Sequence, residues 1–268
     1  NKVKDIKKLF NITKENKSID PEKILEHLDQ HLLHNSNFNP SPNYYGYITG
    51  GGNQIGIIAE FLKSALNQNN LKWHSAPANT EIEKIVIRWI ADFIGYEKNC
   101  GGVLVSGGSI ANLMNLTVMR KIKGDNKINV RGIYGTQRMR VYVSKEAHSS
   151  IDKGMDLLGL GYENLIKINT CKEFKIDLIL LENKIEKDLK KGYMPIGIIG
   201  IAGTTNTGTV DPLKALGKIA RKFNLWYMID AAYGGPASKV RKNLFAGIES
   251  ADSLLINPHK WFFVPFEV

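Results

Sequence analysis

The chain has 268 residues, 43% hydrophobic and 23% charged, enough to bury a substantial core as one large domain or two small ones. No apolar run approaches the roughly 18–20 residues of a membrane span, and Asn1-Lys2-Val3-Lys4-Asp5-Ile6-Lys7-Lys8 has no signal-type apolar core. The net charge of +10 is spread over lysine-rich helical stretches such as 187–191, not gathered into the basic stripe expected of a nucleic-acid binder; it favours an anionic cofactor or substrate only through the summed field.

In chain order, the first forty residues read as a polar helical entry segment. Asp20 is placed to cap a helix with Pro21 at its first position, and Ile24, Leu25, Leu28 and Leu32 form one apolar stripe. Asn39-Pro40-Ser41-Pro42-Asn43 breaks it, and a glycine-rich run, 46–53, follows. Thr80 is read as the cap of a helix with Ile82, Ile85, Ile87, Trp89, Ile90 and Phe93 on its apolar face.

Strands are expected at 102–105, 139–144, 165–169, 196–202, 225–229 and 253–256, with helices at 110–121, 148–158, 176–190 and 213–223 between them. Strands apolar on both faces, alternating with helices, predict an α/β fold with a mostly parallel sheet covered on both sides. Ligands of such sheets sit at the carboxyl ends of the strands. The two cysteines, Cys100 and Cys171, have no metal-site spacing, and a reduced, cytoplasmic setting is expected.

Four polar clusters fall at predicted strand ends. Ser106-Gly107-Gly108-Ser109 opens a helix, whose first N–H groups suit an anion; a tight connection is the alternative. Ala147-His148-Ser149-Ser150 follows another strand, and its histidine, taken alone, reads more readily as a helix-start or surface residue than as a catalytic one. Gly203-Thr204-Thr205-Asn206-Thr207-Gly208 is either a ligand loop or a turn rich in side-chain-to-backbone bonds. The fourth cluster has two parts: Ile229-Asp230-Ala231-Ala232-Tyr233-Gly234-Gly235 and Asn257-Pro258-His259-Lys260-Trp261.

An amine, an acid, an anion site and small residues together match the needs of pyridoxal 5'-phosphate (PLP). The acid keeps the pyridine nitrogen protonated, small residues let a flat ring lie against the backbone, and a ring side chain can stack on the other face.

With these motifs, and with 75–81 similar to a Ser-Pro-x-x-Thr-Glu segment carrying one inserted residue, the chain from about Pro42 onward resembles the group II PLP-dependent decarboxylases, the family of the aromatic-amino-acid, histidine and glutamate enzymes. The resemblance implies PLP fold type I, an aspartate-aminotransferase-like large domain over 56–268, after a helical N-terminal segment, 1–55. It implies decarboxylation of an L-amino acid to the amine and CO2 through an aldimine on Lys260, making the chain a carboxy-lyase. Asp230 is then the partner of the ring nitrogen, Ala232 packs on the ring, and His148 stacks opposite. Thr205 contacts ring or substrate, while Gly108 and Ser109, with Asn257 and His259, hold the phosphate. Tyr47 and Thr49, with Leu71, match the substrate side, although Ile48 stands where the family often has Phe-Pro.

No side-chain carboxylate clamp is identifiable, which leans the substrate towards aromatic amino acids. The resemblance also implies a homodimer, while the apolar runs and the spread of charge predict no membrane or nucleic-acid partner. Family members continue past this lysine into a small C-terminal domain, so this chain alone, ending eight residues on at Val268, is expected not to be a competent decarboxylase; a separate chain carrying that half, or truncation, accounts for the difference. The alternatives are a PLP carbon–carbon lyase of the sphingosine-phosphate lyase type, disfavoured by Asn257, Pro258 and Trp261, and a truncated non-catalytic PLP-binding subunit.

Overall fold

The computed structural model describes residues 3–9, 18–96, 99–125 and 127–266. Asn1, Lys2 and 10–17 of the expected entry segment, and the last two residues, lie outside the described residues. The chain divides into two compact units, Asn1–Thr49 and Gly50–Val268.

In the first unit, α1 (Val3–Leu9) is followed by α2 (Pro21–His27). Asp20 caps α2 as anticipated: its carboxylate accepts the Glu22 N–H at 3.1 Å, and Pro21 takes the first helical position. The helix passes into a π-helical stretch, Leu28–Leu33. Its stripe of Ile24, Leu25, Leu28 and Leu32 stays exposed.

The second unit opens with α3 (Gln54–Leu66), which spans the expected 55/56 boundary, and α4 (Pro77–Ile94). Helix α4 begins at Pro77, earlier than the expected Thr80 cap, because the proline ring fixes a helical φ at the first position. Thr80 lies inside the helix and donates its hydroxyl to the Ala76 carbonyl at 2.9 Å.

Then follow α5 (Gly107–Lys123), α6 (Ile128–Arg131), β1 (Met139–Ser144), α7 (Ser150–Leu157), β2 (Leu165–Ile168), α8 (Leu178–Lys190), β3 (Met194–Ile201), α9 (Leu213–Lys222), β4 (Trp226–Asp230) and β5 (Ser253–Leu255). The five strands form one parallel sheet in the order β2-β1-β3-β4-β5. Parallel strands joined by helices are covered on both faces. Every residue of β1 is accordingly buried.

Alternate strand residues feed two cores. Tyr142, Ile198 and Ile229 pack with Leu181, Ile185 and Leu216 of α8 and α9. Val143, Ile199 and Met228 pack with Leu116 and Met119 of α5 and with Ile151 and Met155 of α7. Two buried carboxylates serve as polar ties. Asp188 of α8 accepts from Tyr142 Oη at 2.9 Å and from Lys184 Nζ at 3.0 Å, and pairs with Arg140 at 3.3 Å. Asp211 accepts the Ile176 and Ile201 N–H groups, both at 2.9 Å, joining the segment before α8 to the end of β3.

The expected strand at 102–105 is corrected: among the described residues these four pair with no strand. The Leu104 N–H donates to Glu83 Oε1 of α4 at 2.7 Å, so a side chain takes a bond a ladder would use. Helices α7 and α8 each begin two residues later than expected. In α8 the cap is Asp177, whose carboxylate accepts from Ile179 and Leu180.

Candidate active site

Strands β1, β3, β4 and β5 run in one direction, so their carboxyl ends deliver the 144–150, 203–209, 230–235 and 256–261 loops to one edge of the sheet. Asp230 ends β4. It is buried, and its Oδ1 accepts the Ala232 N–H at 3.1 Å. The Asn257 N–H donates to the Ala232 carbonyl at 3.3 Å, which ties the aspartate loop to the lysine loop.

Lys260 follows in a turn closed by its own N–H to the Asn257 carbonyl at 3.1 Å. Burial lowers the Lys260 amine below the ordinary lysine value, against the opposing pull of the Asp230 charge. That coupling places a desolvated amine and a buried carboxylate in one electrostatic site.

The lysine turn is clasped from the other side by the start of the second unit. A Cβ on Gly50 would sit 2.2 Å from the Lys260 carbonyl oxygen, so only glycine admits this approach. Asn53 donates Nδ2 to the Phe263 carbonyl at 2.7 Å and caps α3 by accepting the Gly56 N–H. Trp261 packs edge-on against Tyr233 at 4.8 Å, and His259 lies against Phe266 at 4.5 Å.

At the start of α5, Ser106 makes no side-chain cap bond. The Gly107 N–H donates to the Val105 carbonyl at 2.8 Å, and the helix start carries the positive end of its dipole. Gly107 takes a positive φ of 79°, and a Cβ on Gly108 would lie 2.8 Å from Asn257 Nδ2. The glycine thus makes room for the buried Asn257 amide against the first turn. Ser109 is exposed at the same terminus.

His148 is exposed at the end of β1. It also satisfies its plain reading: Nδ1 accepts the Ser150 N–H at 3.2 Å, capping α7. Thr205 is exposed after β3. Its neighbours fulfil the turn reading, with Thr204 Oγ1 2.7 Å from Thr207 Oγ1 and accepting the Thr209 N–H at 3.2 Å.

The structure thus joins Lys260, Asp230, Ala232, Asn257 and Gly108 by contact, and adds His148 through a link the sequence reading missed. Asn112, on α5, donates Nδ2 to Asp230 Oδ2 at 3.2 Å and to Ser150 Oγ at 2.9 Å; Ser150 Oγ lies 2.8 Å from His148 Nδ1. Its signal was a polar residue on the buried stripe Asn112, Leu116, Met119, at helical spacing. The substrate-side candidates are divided between the two units. Leu71 is exposed in a turn where its N–H bonds Asn69 Oδ1. Tyr47 and Thr49 belong to the first unit, both exposed, Tyr47 with φ 58°. A cavity of about 450 Å³ lies between α4, α5 and β5, lined by Ile87, Val103, Met114 and Leu254; it meets the site only at Gly107 and the Asn257-Pro258 pair.

These residues suit pyridoxal phosphate. An amine of lowered basicity, a buried carboxylate held by N–H donors, and a glycine-opened helix start are the groups that would hold its aldehyde, ring nitrogen and phosphate. Among the described residues no group of His, Cys, Asp and Glu has a metal-binding arrangement.

Comparison with known proteins agrees with this chemistry. The sequence profile of the pyridoxal-dependent decarboxylase conserved domain matches residues 4–268. The chain is 34% identical over 251 residues to an aromatic-L-amino-acid decarboxylase of Bacillus atrophaeus, covering 93% of this chain and 51% of that protein. It is 31% identical over 256 residues to tyrosine/DOPA decarboxylase 2 of Papaver somniferum, covering 92% of this chain and 48% of the relative. The mouse CSAD crystal structure superposes with a TM-score of 0.92 at 26% identity, covering all of this chain and 57% of that one. The 4-hydroxyphenylacetaldehyde synthase of Rhodiola rosea superposes with a TM-score of 0.89 at 30% identity, covering 98% and 57%. The chain spans about half the length of the curated relatives it matches. The chain belongs to the pyridoxal-dependent decarboxylase family, with the α/β large-domain fold of PLP fold type I and with pyridoxal phosphate as its cofactor.

Proposed function

We propose that the protein removes the α-carboxylate of an aromatic L-amino acid as CO2, leaving the amine, with Lys260 as the residue that holds the cofactor. The observation that carries this reading is the tie between the Lys260 turn and the Asp230 loop, Asn257 N–H to the Ala232 carbonyl at 3.3 Å, at the sheet's carboxyl edge. When bound, pyridoxal phosphate supplies an electron sink for the pair released at Cα.

The chain's own residues do the rest. Desolvation keeps the Lys260 amine available as a nucleophile below the usual lysine range. Asp230, held by the Asn112 amide and the Ala232 N–H, presents fixed negative charge to the ring nitrogen. Gly108 and Ser109, with Asn257 and His259, bind the phosphate at the start of α5. Ala232 forms one wall of the ring site; His148 and Thr205 flank the substrate side.

The aromatic preference is supported by likeness to enzymes named for aromatic amino acids. A homodimer is supported by apolar side chains such as Phe61, Ile82 and Trp89 left exposed on α3 and α4. A cytoplasmic setting fits a sequence that holds only two cysteines.

The test is CO2 and amine release from carboxyl-labelled L-tyrosine, L-phenylalanine, L-tryptophan and L-glutamate by the cofactor-loaded protein, with Lys260→Ala as the blank. The reading requires both products from an aromatic substrate. Cofactor bound at Lys260 with no CO2 from any amino acid, even when the C-terminal half of the family's enzymes is supplied, would overturn it, and the mass of protein in sedimentation equilibrium tests the dimer.

A further inference from the structure

The Asp230, Asn112, Ser150 and His148 side chains form a chain of hydrogen bonds whose donor order has a single solution. A backbone N–H can only donate, so the Ser150 N–H pointing at His148 Nδ1 from 3.2 Å requires a lone pair on that nitrogen. Ser150 Oγ, 2.8 Å from the same nitrogen, then donates its proton to it. The hydroxyl is free to do so because it accepts from Asn112 Nδ2 at 2.9 Å. The second hydrogen of that amide reaches Asp230 Oδ2 at 3.2 Å.

The reverse amide orientation would turn a carbonyl oxygen towards a carboxylate and forfeit both donors. In the observed orientation Asn112 Oδ1 is buried and has no hydrogen-bond partner among the described residues. Asn112 itself is 2% exposed. A buried amide that leaves its oxygen unsatisfied while both donors are engaged is placed for donation.

We propose that Asn112 and Ser150 are positioning residues that fix His148 in the tautomer carrying its proton on Nε2 and hold the Asp230 carboxylate in place through the same amide. The exposed edge of the His148 ring is thereby a donor, and its orientation is coupled to the acid at the far end of the chain. The proposal rests on the reading of His148 and Asp230 as cofactor-facing residues, but its first readout needs no cofactor.

The experiment is nitrogen-15 NMR of histidine-labelled protein, with and without pyridoxal phosphate, at a pH where the ring is neutral. His148 is assigned by the signal lost in His148→Gln. In the native protein Nδ1 is an unprotonated acceptor and Nε2 carries the proton. Ser150→Ala keeps only the longer backbone bond, so the preference weakens and a fraction protonated on Nδ1 appears, and turnover falls about 10–100-fold, chiefly in kcat. Ser150→Thr restores both. Asn112→Leu, similar in size and without donors, mixes the tautomers and also weakens cofactor binding; should it fail to fold by circular dichroism, Ser150→Ala carries the test alone. A Ser150→Ala protein with native tautomer and native kcat overturns the proposal. Loss of borohydride labelling at Lys260 in the native protein overturns the parent reading instead, with the tautomer still read in the cofactor-free state.

Discussion

Asp211 titrates far from an ordinary carboxylate, and its effect on stability can be worked out. Burial raises its carboxyl from 3.8 to about 6, against the lowering effect of the Ile176 and Ile201 N–H groups it accepts. A carboxyl protonated more readily when folded makes the folded state bind the extra proton between those values. Stability from this group is therefore fully present below about pH 4 and is lost as pH rises through about 6. At about 1.4 kcal/mol per pH unit the difference is about 3 kcal/mol. Asp211→Asn removes the titration while keeping one carbonyl acceptor.

Urea unfolding of both proteins from pH 4 to 8 isolates the term, because every other titrating group cancels in the difference. The native protein should lose about 2 kcal/mol relative to the variant on going from pH 4 to 7, with little further change above pH 7. Parallel curves for the two proteins would refute the argument that burial outweighs the two N–H donors. The consequence reaches the site, since Asp211 ties the end of β3, from which the 203–209 loop emerges.

Three further outcomes follow from the packing. Asp188→Ala should cost about 3–5 kcal/mol in urea unfolding, since it leaves Arg140 nearly buried without its carboxylate. Gly50→Ala should cost about 1–3 kcal/mol, because its Cβ would overlap the Lys260 carbonyl, and should impair cofactor capture at the displaced turn. Asp230→Asn should lower the titration of the Lys260 amine further, because the aspartate charge is what raises it; the pH dependence of reductive methylation at Lys260, read by peptide mapping, checks the direction.

Much of the sheet was legible because β1, β3 and β4 are buried and therefore read as continuous apolar runs; the boundaries of β1 coincide with the expected ones. Strand character at 102–105 was misread for the complementary reason. Val103 and Leu104 have the composition of a strand, but a strand exists only with a neighbour, and Glu83 takes the Leu104 N–H. The start of α4 was misplaced because Thr80 competes locally as a cap while Pro77 settles the first turn.

At the site, Lys260, Asp230 and His148 were visible through their motifs at strand ends. Asn112 was not, because its role depends on a carboxylate 118 residues away and a hydroxyl 38 away, distances that local periodicity does not carry. Gly50 was read only as part of an irregular glycine run; its need for space appears once the Lys260 turn is folded against it.

The most direct test of the account is reduction of the pyridoxal-phosphate-loaded protein with borohydride, followed by peptide mapping. The account predicts a visible cofactor band that borohydride abolishes and a pyridoxyl group on Lys260 alone. A label on any other lysine, or a folded protein that binds the cofactor without reducible attachment at Lys260, would contradict it.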